Sequence, residues 1–220
     1  MSADLPSSKT RILMVDDHPI VREGMAQFLN LQENLWLCCQ ASNAREALEA
    51  MAACMHDLAI VDISLDGDSG LGLIKTLRQR YPKLAILALS MHDEAVFGER
   101  ALRAGANGYL MKQEGTCAIL QAVREVLAGN LFLSAAMQGA LTQRLVTSKG
   151  IGPAPLAGLS ERELEILHLI GLGLGTREIA EKLSRSVKTI EAHQTHLKEK
   201  LQLKTGRDLV RFAVQWVEAG

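Results

Sequence analysis

Along the first half of the chain, short unbroken apolar runs alternate with longer stretches of 3.6-residue periodicity. Ile12–Val15 reads as a buried strand. A helix from about Pro19 to Leu31 follows, with proline in its first turn, where a missing N–H costs nothing. Trp36–Gln40 predicts a second strand, Asn43–Met55 a helix, Leu58–Ile63 a third strand and Gly70–Arg80 a helix that stops before Pro82. Ala85–Leu89, Glu94–Ala104, Gly108–Met111 and Thr116–Ala128 complete the alternation. Five strands and five helices in strict succession predict an α/β fold, a doubly wound five-stranded parallel sheet with helices on both faces. In such sheets a ligand site lies beyond the carboxyl ends of the strands.

After residue 128 the pattern changes. Asn130–Val146, "NLFLSAAMQGALTQRLV", places Leu131, Leu133, Met137, Leu141 and Leu145 at helical spacing and predicts a short amphipathic helix beginning near Ser134. "TSKGIGPAPLAG" has no periodicity and reads as a linker. From Leu159 onward the pattern is a small all-α unit of four helices. "LSERELEIL" opens with Ser160 and Glu163 as a capping box. "GLGLG" (171–175) follows no strand, so it reads as a turn between helices rather than a phosphate-binding loop. "TREIAEKL" is a short helix with Thr176 as its cap and Ile179, Ala180 and Leu183 turned inward. After the turn "SRS" comes "VKTIEAHQTHLKEKLQ", with Val187, Ile190, Leu197 and Leu201 on one face and Lys188, Glu191, Ala192, Thr195 and Lys198 on the other. A short helix, a tight turn and a longer polar-faced helix are a helix-turn-helix. A last helix, Thr205–Glu218, carries Leu209, Val210, Ala213, Val214 and Val217 and has its plain reading as a helix that closes the core of this unit. The expected organisation is therefore 9–128, a linker with its short helix at 129–156, and 157–220.

Composition leaves this picture intact: 48% hydrophobic and 22% charged residues describe a globular chain, with few aromatics to build its core. Net charge is −1 overall but unevenly spread. Residues 1–128 hold 12 Lys/Arg against 16 Asp/Glu, whereas 157–220 hold 10 against 9. Two units with different tasks fit that asymmetry. The four cysteines, Cys38, Cys39, Cys54 and Cys117, have no CxxC or Cys/His spacing of a zinc site, and Cys38 and Cys39 read as small core residues. "MSADLPSSKTR" lacks the apolar segment of a secretion signal, and no run approaches 18 apolar residues. A soluble, reducing, cytoplasmic setting with no membrane partner is expected.

The chemistry is expected at the strand ends. Asp16 and Asp17 follow the first strand, Asp62 falls at the end of the third within "AIVDISLDGDSG", Ser90 ends the fourth and Lys112 follows the fifth. Three carboxylates in one cleft repel one another, and a hard divalent cation such as Mg²⁺ relieves the conflict. The competing role for Asp16 or Asp17 is to cap the following helix.

"VDDHP", "VDISLDGDSG", "LALS" and "GYLMK" make residues 11–128 resemble the flavodoxin-like receiver domain of response regulators. "LSERELEILHLI", "TREIAEKL", "SVKTIEAH" and "LKEKLQLK" make residues 157–218 resemble the LuxR-type helix-turn-helix. Together the chain is similar to a two-component response regulator of the NarL/FixJ type. The resemblance implies that Asp62 accepts a phosphoryl group from a histidine kinase. Asp17, Asp62 and the Ser64 carbonyl would bind Mg²⁺ directly, and Asp16 through water. Ser90 and Lys112 would contact the phosphoryl oxygens. Tyr109 occupies the switch position, or is a half-buried strand tyrosine. Asp66 and Asp68 stand in a loop where receivers often carry proline, and Gln113 follows Lys112 where many also have proline. The resemblance further implies that Val187–Leu201 enters the major groove of double-stranded DNA, on which a homodimer binds, and that the last helix, Thr205–Glu218, can form a dimer contact, alone or while also closing the core. Glu191, Ala192 and Thr195 would face base edges, and Lys188, Thr189, His193, His196 and Lys200 phosphates, with Lys198 on the same polar face; the alternative for His193 and His196 is packing on the helix surface. A Mg²⁺-dependent phosphohydrolase with an aspartyl-phosphate intermediate would need a substrate cap and a second acid/base carboxylate. The chain supplies no candidate cap, so a phosphorylation-switched transcription regulator, not an enzyme, is expected.

Overall fold

The computed structural model describes residues 9–65, 69–91, 94–135, 137–139, 156, 158–183 and 185–218. The chain divides into two compact units, Met1–Ala140 and Leu141–Gly220.

In the first unit the elements run β1 (Thr10–Val15), α1 (Pro19–Asn30), β2 (Leu35–Ala41), α2 (Ala44–Ala53), β3 (Leu58–Asp62), α3 (Gly70–Arg80), β4 (Ala85–Ser90), α4 (Glu94–Ala104), β5 (Gly108–Met111) and α5 (Thr116–Leu127). All strand pairs are parallel, in the order β2-β1-β3-β4-β5. Ile12, Met14, Leu58, Ile60, Leu87 and Leu89 face Met25 and Leu29 of α1 and Val123 and Val126 of α5. The alternate residues Leu13, Val15, Ala59, Val61, Ile86 and Ala88 are equally buried, on the face that meets α2, α3 and α4. Burial on both faces is why the strands read as continuous apolar runs rather than alternating ones. The strand order reverses between β1 and β3, so the crevice at the switch point opens between their carboxyl ends.

Local capping fixes where helices begin. Asn43 Oδ1 accepts from the Glu46 N–H at 2.9 Å, and Ser69 Oγ from the Gly72 N–H at 2.8 Å. Helix α2 ends at Ala53 rather than Met55, because Cys54 has already turned to an extended conformation leading into β3. Residues 131–139, expected to begin the linker, belong to the first unit. Phe132 donates to the Asn107 carbonyl and accepts from the Tyr109 N–H, both at 3.0 Å, forming an isolated bridge with Gly108 at the β5 edge. Leu133 and Met137 are buried. Ser134 Oγ accepts from the Met137 N–H at 3.2 Å, which agrees with a helical turn opening there. Leu141 and Leu145 lie outside the described residues.

The second unit contains α6 (Glu161–Gly171), α7 (Thr176–Lys182), α8 (Val187–Lys200) and α9 (Gly206–Glu218). Ser160 and Glu163 form the expected capping box on α6. The cap of α7 is Gly175, not Thr176: the Gly175 N–H donates to Glu178 Oε2 at 2.6 Å, and the Thr176 hydroxyl instead accepts from Gln194 of α8 at 3.3 Å. "GLGLG" is the α6–α7 turn, with Gly173 at φ 87°. Helix α9 closes the core through Leu209 and Ala213 and leaves Val210 exposed. It crosses α6 so closely that a Cβ at Gly171 would lie 2.6 Å from the Ala213 carbonyl oxygen.

Gly70, in the first unit, has the same constraint. A Cβ there would sit 2.2 Å from the Asp62 carbonyl oxygen and 2.4 Å from Ile63 Cα, both backbone atoms that cannot step aside. Gly70→Ala is expected to destabilise the first unit by about 1–3 kcal/mol or more, the usual cost of overpacking. The measurement is a fall in the urea midpoint of its unfolding transition.

Candidate functional site

Each strand end delivers one part of the site. Asp62 is the last residue of β3 and only 1% exposed. Its Oδ1 accepts from the Ser64 N–H at 2.9 Å, and its Oδ2 lies 2.7 Å from Lys112 Nζ. Asp16, fully buried just past β1, lies 2.7 Å from the same ammonium through its Oδ2. The lysine backbone is held in place as well, its N–H donating to the Ser90 carbonyl at 2.6 Å across the β4–β5 pair. Ser90 ends β4 and is fully buried, and Tyr109 of β5 is buried rather than half-buried.

Asp17 is partly exposed at the mouth. Capping is not the use made of the acidic pair, because the N-cap of α1 is His18. Asp16 Oδ1 accepts from the His18 backbone N–H at 2.8 Å. The His18 ring lies 2.7 Å from Asp17 Oδ1 and 3.2 Å from Asp16 Oδ1. His18 is a member of the cluster that sequence reasoning passed over, although it sits inside the quoted "VDDHP". One ligand atom from each of Asp16, Asp17, His18 and Asp62 falls within 4.8 Å of the others.

Electrostatics follows from this crowding. Burial pushes the Asp62 carboxyl above its ordinary range; Lys112 opposes that shift and Asp16 adds to it. For Lys112 burial works against the charged form, but Asp62 and Asp16 outweigh it and raise the ammonium's pKa. Three carboxylates face a single lysine, so the pocket retains unbalanced negative charge. Its oxygen donors suit a hard cation that keeps part of its water shell.

In the second unit α8 buries Ile190 and Leu197, while Val187, expected inward, is 38% exposed. Ser186 caps the helix, accepting from the Thr189 N–H at 3.1 Å, with the two hydroxyls 2.8 Å apart. Lys188, Thr189, Glu191, Ala192, Thr195 and His196 are exposed; His193 is half-buried. Burial, then the Arg162 charge, holds His193 below the ordinary histidine range. Lys198 lines a shallow cleft with Thr176, Gln194, Gly206 and Leu209. Lys200 reaches back to α6, where its Nζ lies 2.7 Å from Glu163 Oε2.

A buried aspartate flanked by an acidic pair and a lysine at the switch point of a five-stranded parallel sheet, joined to a helix-turn-helix unit, defines a phosphate-switched regulator of nucleic-acid binding as a class. Comparison with known proteins gives the family. Residues 12–124 match the response regulator receiver domain, and residues 157–213 the bacterial regulatory proteins of the luxR family. The chain is 37% identical over 210 residues to the oxygen regulatory protein NreC of Staphylococcus carnosus, covering 93% of this chain and 97% of that protein. It is 39% identical over 204 residues to the transcriptional activator protein ExaE of Pseudomonas putida, covering 93% and 95%. A structure of two RcsB dimers bound to two parallel DNAs matches with a TM-score of 0.57 at 25% identity, covering 93% of this chain and 97% of that one. The chain belongs to the NarL/FixJ-type response regulators and is a transcription regulator.

Glu163 ties the capping box to α8. Burial raises its carboxyl pKa, but hydrogen bonds from Lys200 and Ser160 outweigh burial and hold it below the usual range. A depressed folded-state value stabilises above the unfolded pKa of about 4.3 and loses that contribution as pH falls through the folded value. Glu163→Gln is expected to destabilise the second unit by roughly 1 kcal/mol at neutral pH. Urea unfolding at several pH values should show the gap to the parent protein narrowing below about pH 4.

Proposed function

We propose that a sensor histidine kinase phosphorylates Asp62 and that this modification controls binding of the second unit to double-stranded DNA as a homodimer. The observation that carries the reading is the Asp62 carboxylate, buried at the end of β3 with one oxygen 2.7 Å from Lys112 and ringed by Asp16 and Asp17. Asp62 Oδ attacks the phosphorus of the kinase phosphohistidine; the P–N bond breaks as the O–P bond forms, and the imidazole leaves. Lys112 orients the acceptor beforehand and offsets charge on the phosphoryl oxygens afterwards. Asp17, Asp62 and the Ser64 carbonyl would hold Mg²⁺, with Asp16 acting through a bound water. When bound, the ion supplies charge neutralisation and alignment for in-line transfer. Ser90 donates its hydroxyl to a phosphoryl oxygen once the group is present, and Tyr109, on the neighbouring strand β5, transmits the change. That new hydrogen bond exists in only one state, so it can shift a two-state equilibrium.

On DNA, α8 occupies the major groove. Glu191, Ala192 and Thr195 read base edges, and Lys188, Thr189, His193 and His196 meet the backbone. Lys198 and Lys200 are better placed to support the helix, since one lines the cleft towards α7 and α9 and the other pairs with Glu163. The dimers of the DNA-bound RcsB structure support a homodimer. Among the described residues no helix is long and apolar enough to cross a membrane. A regulator that works on chromosomal DNA belongs in the cytoplasm.

Asp62→Asn is expected to abolish incorporation of phosphate from acetyl phosphate in Mg²⁺, measured by intact-protein mass spectrometry. Undiminished labelling of that variant would remove Asp62 from its role. Lys188→Ala is expected to weaken binding to all duplexes alike and to lower the slope of log affinity against log salt by about 1. Glu191→Ala is expected to relax base preference at one position of the half-site, read by selection from a randomised DNA pool.

A further inference from the structure

A second cluster of ligand side chains lies away from the acidic pocket, and no spacing in the sequence announces it. Along β2, Ile12 of β1 pairs with Leu37 and Leu13 with Cys39, so Cys38 is the extra residue of a β-bulge. In a regular strand, adjacent side chains point to opposite faces. A bulge removes that alternation and re-aims a side chain, which brings the neighbouring Cys38 and Cys39 thiols to one place. Cys54 leaves α2 in an extended conformation, so Cys54 and His56, two residues apart, project to the same side.

Three of the side chains converge there, and Cys54 adjoins two of them. Ligand atoms of Cys38, Cys39 and His56 lie within 4.8 Å of one another. Cys54 Sγ is 3.4 Å from Cys39 Sγ and 3.6 Å from His56 Nε2. A tetrahedral Zn²⁺ with its usual bond lengths separates its ligands by about 3.8 Å for two sulfurs and about 3.6 Å for sulfur and nitrogen. All four residues are half-buried, close enough to the surface for an ion to enter. His56 stands before the amino end of β3, whereas Asp62 closes its carboxyl end, so the cluster and the acidic pocket are separate.

We propose that Cys38, Cys39, Cys54 and His56 form a binding site for a thiophilic metal ion of the Zn²⁺ class. Soft sulfur and imidazole donors select such an ion over the Mg²⁺ of the oxygen-lined pocket. The charge also fits: three thiolates around a divalent ion leave one net negative charge, and Arg11 lies beside the cluster with its guanidinium over Trp36, 5.5 Å from the ring centroid. Two shielded nitrogens, Arg11 Nε and His56 Nδ1, have no hydrogen-bond partner among the described residues. Without metal, burial, followed by the neighbouring Cys54 and Cys38, pushes the Cys39 thiol up to about 12. Metal binding would replace the thiol protons, releasing them to solvent as the sulfur–metal bonds form.

The test uses the full-length protein, reduced with a phosphine and freed of metal by a chelator. Titration with Co²⁺ is expected to produce thiolate-to-cobalt charge-transfer absorption saturating at one equivalent, displaced by Zn²⁺ and unaffected by excess Mg²⁺. Cys39→Ser and His56→Ala are expected to weaken Co²⁺ binding by at least roughly tenfold, a loss that even outer partners of metal ligands produce. Cys117→Ser, whose exposed thiol lies on α5, should leave it unchanged. Unaltered acetyl-phosphate labelling of each variant reports that the first unit is folded. Absence of a thiolate band in the parent protein would overturn the proposal, as would a band lost with Cys117. So would a Cys39–Cys54 disulfide in air-exposed protein with no metal uptake after reduction.

Discussion

The ammonium of Lys112 between the carboxylates of Asp16 and Asp62 is the interaction on which the first unit's chemistry depends. A buried carboxylate without a counter-charge would take up a proton and cease to be a nucleophile. The Lys112 ammonium, 2.7 Å from both acids, opposes the upward shift that burial and Asp16 impose on the acceptor. The lysine is itself positioned by the β4–β5 pair, through its N–H on the Ser90 carbonyl. The acceptor strand, the hydroxyl strand and the lysine strand therefore share one hydrogen-bonded frame.

The space around that frame is restricted from below by Gly70, which lets α3 begin directly against the Asp62–Ile63 backbone. At the edge, Phe132 extends the β5 side of the sheet, and the Glu94 carboxylate accepts from the Ser134 N–H at 3.0 Å. The first unit thus reaches past α5 by using backbone groups that an edge strand would otherwise leave unpaired. In the second unit a comparable economy holds α8. Glu163 satisfies the N-terminus of α6 and pairs with the Lys200 ammonium, while Lys188, Glu191, Ala192 and Thr195 of α8 stay exposed.

Much of this was legible in advance. The β/α alternation was readable because strands buried on both faces leave unbroken apolar runs, and parallel pairing then requires the intervening helices. The acidic pocket was readable because the carboxyl-end rule turns strand order into position: Asp16, Asp62, Ser90 and Lys112 had to meet. Other features were not. His18 gives no periodic signal, and its place beside Asp17 depends on how the chain turns into α1. The cap of α7 went to Gly175 because Thr176 was drawn to Gln194 of α8, a tertiary contact. The Lys200–Glu163 pair gives no periodic signal either, since it joins two helices that local pattern treats separately.

The amino-acid order alone determined the two folding units, the order of elements within each, and the residue types available at each strand end, since these follow from local periodicity and capping. Tertiary structure decided which groups share a proton or a charge. It set Lys112 equidistant from two acids, paired Lys200 with Glu163 of another helix, and gathered Cys38, Cys39, Cys54 and His56 around one bulge. The reason is range: backbone preferences act over a few residues, whereas a bulge on one strand or a carboxylate from a neighbouring helix acts between segments that meet only after the sheet and the helical core have formed.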